Sequence, residues 1–471
     1  FNGAFMNFFK LSVCLAFLFL AVVSVSAKTQ SEKYANGELL VKFANGTDSL
    51  SAARANEEIG AKVLETFADL GWQRVQLPKN LLVETAIARY QNLADVVMAQ
   101  PNYYYKLQVT PNDPQFANSG LWGLTKISAP SAWDLATGSP TVVIANIDTG
   151  MKYNHEDLAA NMWTNPGEIN GNGIDDDGNG FVDDYYGYDF FFNDGDPLDE
   201  HGHGTHVGGT MGAVGNNNIG VVGINWNVRL MAIKIYNNTG FGTTAAMLIN
   251  AYNYVRMMKN RGVNIRVTNN SYGGCDEACG YDQATKDALD AMGNAGILNV
   301  FAAGNDGRNT DTNPAYPASY TSPSVLSVAN STTTDAKNSS SNWGVNTVDL
   351  AAPGTGIFST VRTAANYGNM TGTSMASPHV AGAAALLASH NPNLSPASLK
   401  ATLMNTVDAI SWTATPIKTG GRLNVDNALR NQTVCNFNLS ATEIVENLRE
   451  EDAHKSMPAA FQLNLLEKTV H

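Results

Sequence analysis

The residue in this sequence with the clearest chemical potential is Ser374, in the stretch TGTSMASPHVAGAAALL at residues 371–387. A glycine-flanked turn precedes small apolar residues there, a pattern that predicts a helix starting close to the serine. Such a serine could cap the helix by accepting a hydrogen bond from a backbone N–H group. It could instead be a nucleophile, because free N–H groups at a helix start stabilise a developing negative charge. Taken alone, the stretch favours the capping role.

A serine nucleophile requires a general base and an acid that orients the base. The stretch HGHGTHVGG at residues 201–209 offers His201, His203 and His206, and ANIDTG at 145–150 offers Asp148 after an apolar run. Together with Ser374, these residue types can catalyse acyl transfer if the fold brings them to one place.

The elements that would position these residues lie between residues 110 and 430. Apolar runs such as TVVIANIDTG, VRLMAIKIY, NIRVTNNSYGG and ILNVFAAGN alternate there with segments of helical spacing. Continuous apolar strands between helices indicate a parallel sheet covered on both faces. Binding and catalytic residues of such sheets lie at the carboxyl ends of the strands, so we expect Asp148, Ser271 and Asn305 near one rim of the sheet.

Three further segments flank this region. Residues 28–109 combine alternating runs with two segments of helical spacing, which predicts a small α+β unit. At residues 1–27, Lys10 precedes an apolar run too short to span a bilayer, and small residues lead to Ala27. This pattern predicts a signal peptide cleaved after Ala27, and hence a secreted protein without a stable membrane anchor. The tail at 431–471 has no strand signals, and no role is assigned to it.

Composition narrows the possible partners. The chain has 471 residues, of which 44% are hydrophobic and 15% charged, enough for a large core and more than one domain. Its net charge of −13 argues against nucleic acid as a partner, because phosphate binding needs basic surfaces. The same charge suits a secreted protein or one that holds cations.

Three stretches together resemble the signature blocks of the subtilisin-like serine proteases (peptidase S8). They are IDTG at 147–150, HGTHVGGT at 203–210 and GTSMASPHVAG at 372–382, in the order Asp, His, Ser. The α/β-hydrolases and the chymotrypsin type use other orders, and an α/β-hydrolase esterase would also need a G-x-S-x-G elbow. The resemblance implies an α/β, subtilisin-like three-layer fold with a mostly parallel central sheet, preceded by a small α+β (ferredoxin-like) propeptide domain.

The resemblance also implies roles for single residues. Ser374 is expected as the nucleophile, His203 as the general base and Asp148 as the acid that orients it, for peptide hydrolysis through an acyl-enzyme. FAAGNDG at 301–307 resembles the block that supplies an oxyanion-hole amide, here Asn305, with the Ser374 N–H as the second donor. The other histidines of these blocks, His201, His206 and His379, are interpreted as structural. The alternative is a degenerate, non-catalytic binding module, against which the intact set of residues argues.

The expected substrate site has two walls. NNSYGG at 269–274 resembles the segment that pairs with an extended substrate like an added strand. One wall of the pocket for the residue before the scissile bond is then Ser271, Tyr272 and Gly273, and the other Ala302, Ala303 and Gly304. Neither wall carries a charge, so the expected preference is for apolar or aromatic residues, with broad tolerance.

An acidic insertion at residues 165–190 predicts calcium binding. Its core DDDGNGFVDD resembles a calcium loop, with oxygen ligands from Asp175, Asp177, Asn179, the Phe181 carbonyl, Asp183 and Asp184. The alternative is a solvated acidic loop, in which so many carboxylates would repel one another unless neutralised. Tyr186 stands where an EF-hand has its bidentate glutamate.

Resemblance to the thermophilic branch of the family implies a second calcium site. Its side-chain ligands would be Asp113, Asp157 and Asn217, and its backbone carbonyls those of Val214, Ile219 and Val221.

The resemblance assigns residues 28–109 as a propeptide that assists folding and inhibits the catalytic domain, 110–430, until autocleavage between roughly Leu107 and Pro111. The expected partners are polypeptide substrates and this propeptide, and the enzyme is expected to be a monomer.

Cys275 and Cys279 could pair in an oxidising compartment or bind zinc; we expect the disulfide, because no further ligands lie nearby. Cys435 is then left without a partner.

Overall fold

The computed structural model describes residues 34–104, 109–118, 120–273 and 280–431. Contacts divide the chain into two compact units, Phe1–Leu107 and Gln108–His471. The predicted signal peptide, residues 274–279 with Cys275 and Cys279, and residues 432–471 with Cys435 lie outside the described residues.

The N-terminal unit is a four-stranded antiparallel sheet with two helices. Its strands are β1 (Tyr34–Phe43), β2 (Lys62–Phe67), β3 (Trp72–Gln76) and β4 (Val96–Tyr103), and its helices are α1 (Leu50–Ile59) and α2 (Val83–Gln91). The strand order β2-β3-β1-β4 is that of a ferredoxin-like fold. Alternate residues Leu39, Val41 and Phe43 of β1 are buried in the core of this unit, as a strand with one covered face requires.

The second unit is built on a nine-stranded sheet. Its strands, in chain order, are β5 (Gly138–Asp148), β6 (Gly187–Asp189), β7 (Asn227–Lys234), β8 (Ile265–Asn270), β9 (Leu298–Ala302), β10 (Val325–Ser331), β11 (Leu350–Pro353), β14 (Asp408–Ala409) and β15 (Gly421–Arg422), while β12 (Ile357–Thr360) and β13 (Tyr367–Met370) form a separate hairpin. The order is β14-β15-β11-β10-β9-β8-β5-β7-β6. All these pairs are parallel except β14 with β15.

Helices cover both faces of this sheet. They are α3 (Pro114–Ala117), α4 (Trp122–Lys126), α5 (Ala129–Trp133), α6 (His203–Gly212), α7 (Ala245–Asn260), α8 (Gln283–Asn294), α9 (Thr373–His390), α10 (Pro396–Asn405) and α11 (Val425–Arg430). Along β5, Ile144 belongs to the core that contains α9, whereas Val143 and Ala145 belong to the core that contains α7 and α8. The three-layer α/β fold expected from the sequence is therefore confirmed.

The carboxyl ends of the central strands meet at one rim. β5, β8 and β9 are neighbours in the sheet and end at Asp148, Asn270 and Ala302. Helix α9 is buried along almost its whole length and starts beside this rim with Thr373 and Ser374. Among the described residues, no helix has the length and apolar character needed to cross a membrane.

Candidate active site

Asp148 and His203 form a hydrogen-bonded pair at the rim. Asp148 is the last residue of β5 and is 1% exposed, and its Oδ1 lies 2.7 Å from Nδ1 of His203, the first residue of α6. The backbone N–H of Thr149 donates to the same oxygen, at 2.8 Å. A carboxylate that accepts from Nδ1–H leaves Nε2 of His203 unprotonated and able to act as a base.

The electrostatics of the pair favour a charged imidazole. Burial alone would lower the pKa of His203, but the charge of Asp148 and its hydrogen bond raise it, so that the net shift is upward. The imidazolium that forms when His203 takes up a proton is therefore stabilised in place.

A second buried carboxylate, Asp199, holds the start of α6. It accepts hydrogen bonds from the backbone N–H groups of Gly202 at 2.7 Å and Thr205 at 2.9 Å, and from the Thr149 hydroxyl at 2.9 Å. Asp199 thereby ties the helix start that carries His203 to the residue after Asp148. Sequence analysis missed this residue, although an aspartate just before a helix start is a capping signal.

The hydroxyl of Ser374 points to the substrate wall. Ser374 Oγ donates to the carbonyl of Ser271 at 3.1 Å, and Ser271 Oγ donates to the carbonyl of Ser374 at 2.8 Å. Ser374 and His203 both belong to the described part of the chain, and no hydrogen bond joins them there. Hydrogen bonds of catalytic groups are often formed only with substrate in place.

The side chain of Asn305 has a defined orientation. Its Oδ1 accepts from the backbone N–H of Thr373 at 2.8 Å and from the Thr373 hydroxyl at 3.0 Å. Because a backbone N–H can only donate, the oxygen must face Thr373, which leaves the amide N–H₂ group to donate elsewhere. An exposed amide beside the N-terminus of α9 can act as an oxyanion donor.

A single cleft of about 380 Å³ contains these groups and both predicted substrate walls. It is lined by Asp148, His203, Ser271, Tyr272, Gly273, Ala302, Ala303, Gly304, Asn305 and Ser374. The cleft is also lined by residues that sequence analysis did not assign to it: His201, Tyr236, Thr239, Gly240, Asp306, Arg308 and Ala315. The charged pair Asp306 and Arg308 follows Asn305 in a stretch whose sequence is typical of a turn, so it gave no sign of a binding role.

The three other histidines near the signature stretches differ in position. His206 and His379 are buried; His206 contacts the carbonyl of Ile357 at 2.9 Å, His379 contacts that of Met375 at 2.8 Å, and burial lowers the pKa of each to about 4. His201 is exposed in the cleft, with its ring centroid 6.3 Å from that of His203. It therefore borders the site.

The acidic insertion brings three carboxylates together. Oxygens of Glu168, Asp175 and Asp177 lie within 4.8 Å of one another. Oε2 of Glu168 is buried and has no hydrogen-bond partner among the described residues, and Asp177 Oδ1 faces Arg261 at 3.0 Å. Glu168 was missed by sequence analysis because it precedes the calcium-like stretch.

The two other predicted carboxylates of this loop, Asp183 and Asp184, are not part of that group. The Asp183 carboxylate accepts from the N–H groups of Asn172 and Gly173, at 3.0 and 2.8 Å. Asp184 accepts from Asn179 at 2.9 Å and from the Tyr254 hydroxyl at 2.6 Å. The ring of Phe181 packs on Tyr254, with a centroid distance of 4.8 Å.

The residues predicted for a second calcium site lie around loop 214–221. Asp113 and Asp157 are fully buried. Asp157 accepts from Asn217 Nδ2 and from the Val221 N–H, each at 2.8 Å; Asp113 accepts from the Asn216 N–H at 2.7 Å. Burial, with a contribution from the Asp113 charge, raises the pKa of Asp157 to about 6. The backbone of Val214 donates to the Asp157 carbonyl and that of Ile219 to the Asn217 side chain.

Comparisons with known proteins agree with this architecture. Residues 139–433 match the subtilase family model, and residues 21–102 match the fervidolysin N-terminal prodomain. The chain is 39% identical to thermitase of Thermoactinomyces vulgaris over 306 residues, covering 65% of this chain and 94% of that protein. It is 34% identical to a thermophilic serine proteinase of Bacillus sp. (strain AK1), covering 87% of this chain and 91% of that protein.

Solved structures agree as well. A protease from Pseudoalteromonas arctica superposes with a TM-score of 0.56 at 28% identity, covering 68% of this chain and 99% of the other. A cold-adapted subtilisin-like serine proteinase gives a TM-score of 0.50 at 28% identity, covering 65% and 98%. The family and the enzyme class predicted from the three sequence blocks are confirmed: this chain belongs to the subtilase family of serine peptidases and carries an N-terminal prodomain.

Proposed function

We propose that the chain is a secreted, calcium-stabilised endopeptidase that matures by cleaving off its own prodomain. The observation that carries this proposal is the cleft in which the Asp148–His203 pair, Ser374 and Asn305 lie together. These residue types are the ones that an acyl-transfer site needs as nucleophile, base, orienting acid and oxyanion donor.

In the first half of the reaction, Ser374 Oγ attacks the peptide carbonyl carbon while His203 Nε2 takes the hydroxyl proton. The Asp148 carboxylate stabilises the imidazolium, and the oxyanion is held by the Asn305 amide and the Ser374 N–H. When the tetrahedral intermediate collapses, the C–N bond breaks and His203 returns its proton to the leaving amine. Before the initial attack, the Ser374 hydroxyl must exchange its hydrogen bond to the Ser271 carbonyl for one to His203.

In the second half, water attacks the ester carbon of the acyl-enzyme and His203 accepts its proton. Collapse of this intermediate releases the carboxylic acid product and reprotonates Ser374. The substrate backbone would lie extended along Ser271–Gly273, with the residue before the scissile bond between the two uncharged walls. Those neutral walls support broad specificity with acceptance of apolar and aromatic residues.

Two places in the catalytic unit fit a calcium ion. Glu168, Asp175 and Asp177 form a carboxylate group with an oxygen that lacks a hydrogen-bond partner among the described residues, and Asp113 Oδ1, beside Asp157, is another such buried oxygen. Hard oxygen donors concentrated in this way suit Ca²⁺. A bound ion would neutralise carboxylates that otherwise repel one another and would tie the loops to the core; it takes no part in the chemistry.

The prodomain would act as an intramolecular inhibitor. We place it at residues 28–109, behind a signal peptide at 1–27, with autocleavage between roughly Leu107 and Pro111 before the catalytic domain at 110–430. The mature enzyme would act as a monomer.

The test compares wild type with Ser374→Ala and with Ser389→Ala, a matched control at the far end of α9 whose hydroxyl caps Leu386. Wild type and Ser389→Ala should lose roughly 110 residues by mass and digest casein. Ser374→Ala should keep its prodomain and be inert. If all three proteins mature alike and none cleaves casein, the proposal is wrong.

A further inference from the structure

The pocket for the residue before the scissile bond has a third side that carries charge. Besides the walls Ser271–Gly273 and Ala302–Gly304, the cleft is lined by Asp306, Arg308 and Ala315. The carbonyl of Tyr316 lies 3.9 Å from the position of a Cβ on Gly273, and Asp306 Oδ2 lies 3.6 Å from that of a Cβ on Gly304. The segment 306–316 thus reaches from one wall to the other.

The two charges on this segment are unequally engaged. Asp306 Oδ2 accepts from Asn342 Nδ2 at 3.2 Å and lies 3.5 Å from Arg308 Nε. The guanidinium of Arg308 makes no hydrogen bond to any described residue, and Asp306 is its one ion-pair partner there. The ion pair offsets part of both charges, and Asp306 also accepts a hydrogen bond, whereas the guanidinium N–H groups of Arg308 have no hydrogen-bond acceptor among the described residues.

The loop that carries Arg308 is held in place by a buried side chain. Asn342 Oδ1 accepts from the backbone N–H groups of both Asp306 and Arg308, each at 3.1 Å, and Asn342 is fully buried. Arg308 itself is 31% exposed. An anchored, partly buried guanidinium with free N–H groups is suited to bind a carboxylate through two parallel hydrogen bonds.

We propose that Arg308 makes this pocket a receptor for an acidic side chain, so that the enzyme cleaves after glutamate as well as after apolar residues. The inference rests on the proposed function, because it concerns the substrate of the same site. The wall glycines Gly273 and Gly304 leave room for an extended glutamate, and the partly exposed pair with Asp306 is weak enough for a substrate carboxylate to share Arg308.

The test uses four peptides that differ only in the residue before the scissile bond: Glu, its isostere Gln, Lys and Phe. In wild type, kcat/KM for Glu should exceed that for Gln by about fivefold, Lys should be disfavoured, and the Glu advantage should shrink in high salt. This comparison needs no variant and is unaffected by folding defects.

Variants then locate the effect. Arg308→Gln should bring the Glu-to-Gln ratio close to one, and Arg308→Glu should make Lys better than Gln. Arg256→Gln removes the same charge from the exposed face of α7 and should leave the wild-type Glu-to-Gln ratio in place.

Two outcomes separate this inference from the proposed function. If the Phe peptide is cleaved but Glu and Gln are cleaved equally, or if Arg308→Gln keeps the Glu preference, the role of Arg308 is wrong and the peptidase stands. If no peptide is cleaved by wild type, the proposed function fails, and this inference with it.

Discussion

At the scale of single residues, the site depends on side chains whose orientation is set by buried neighbours. Asp148 orients His203, Thr373 orients Asn305, and Asp199 holds the helix start that carries His203. Sequence motifs predicted Asp148, His203, Asn305 and Ser374. They did not predict Asp199 or Arg308, because the role of each depends on what the fold brings next to it.

The Asp148–His203 pair leads to a prediction about pH. Because Asp148 raises the pKa of His203, activity should fall, as pH decreases, already above the ordinary histidine value of 6.5. In the inactive Ser374→Ala background, NMR titration should find the His203 imidazole becoming charged in that range. Adding Asp148→Asn should lower the pKa of His203, because burial, which lowers it, is then no longer opposed by the Asp148 charge.

His206 and His379 are internal controls for that titration. Burial lowers the pKa of both to about 4, so their signals should stay neutral while His203 titrates. The same Asp148→Asn change in active enzyme should reduce kcat by about 10³–10⁴-fold. A His203 titration that does not respond to Asp148→Asn would contradict the account of this pair.

At the scale of elements, the acidic insertion shows where motif reasoning stops. The stretch DDDGNGFVDD suggested ligands at mostly alternate positions, yet the carboxylates that meet are Asp175, Asp177 and the earlier Glu168. Asp183 instead accepts hydrogen bonds from two backbone N–H groups of the same loop. Loop conformation decides which oxygens converge, and the order of residues in a loop does not specify it.

This difference predicts how calcium stabilises the protein. Calcium at about 100 times its dissociation constant should raise the free energy of unfolding by about 2.7 kcal/mol, seen as a higher Tm than in EGTA. Glu168→Gln should reduce that calcium-dependent increase in Tm, because it removes a charge from the carboxylate group.

The matched control is Asp183→Asn, which removes the same charge a short distance away. It should lower Tm in EGTA, through its lost hydrogen bonds, and leave the calcium-dependent increase nearly unchanged. If Asp183→Asn abolishes the increase and Glu168→Gln does not, the original sequence-based ligand set is the better one.

At the scale of the whole molecule, the two-unit organisation and both folds follow from patterns in the sequence. Long apolar runs such as TVVIANID identify strands covered on both faces, and alternation in GELLVKFA identifies a strand with one covered face. The short strands β14 and β15 at the sheet edge escaped prediction, because two residues carry no periodicity.

The central claim, that Ser374 is a nucleophile activated by His203, is tested most directly with a fluorophosphonate probe on the mature enzyme. Peptide mapping should find one phosphonate adduct, on Ser374. Labelling should be absent in Ser374→Ala and slowed by about 10³-fold or more in His203→Ala. An adduct on another residue, or an undiminished rate in His203→Ala, would contradict the account.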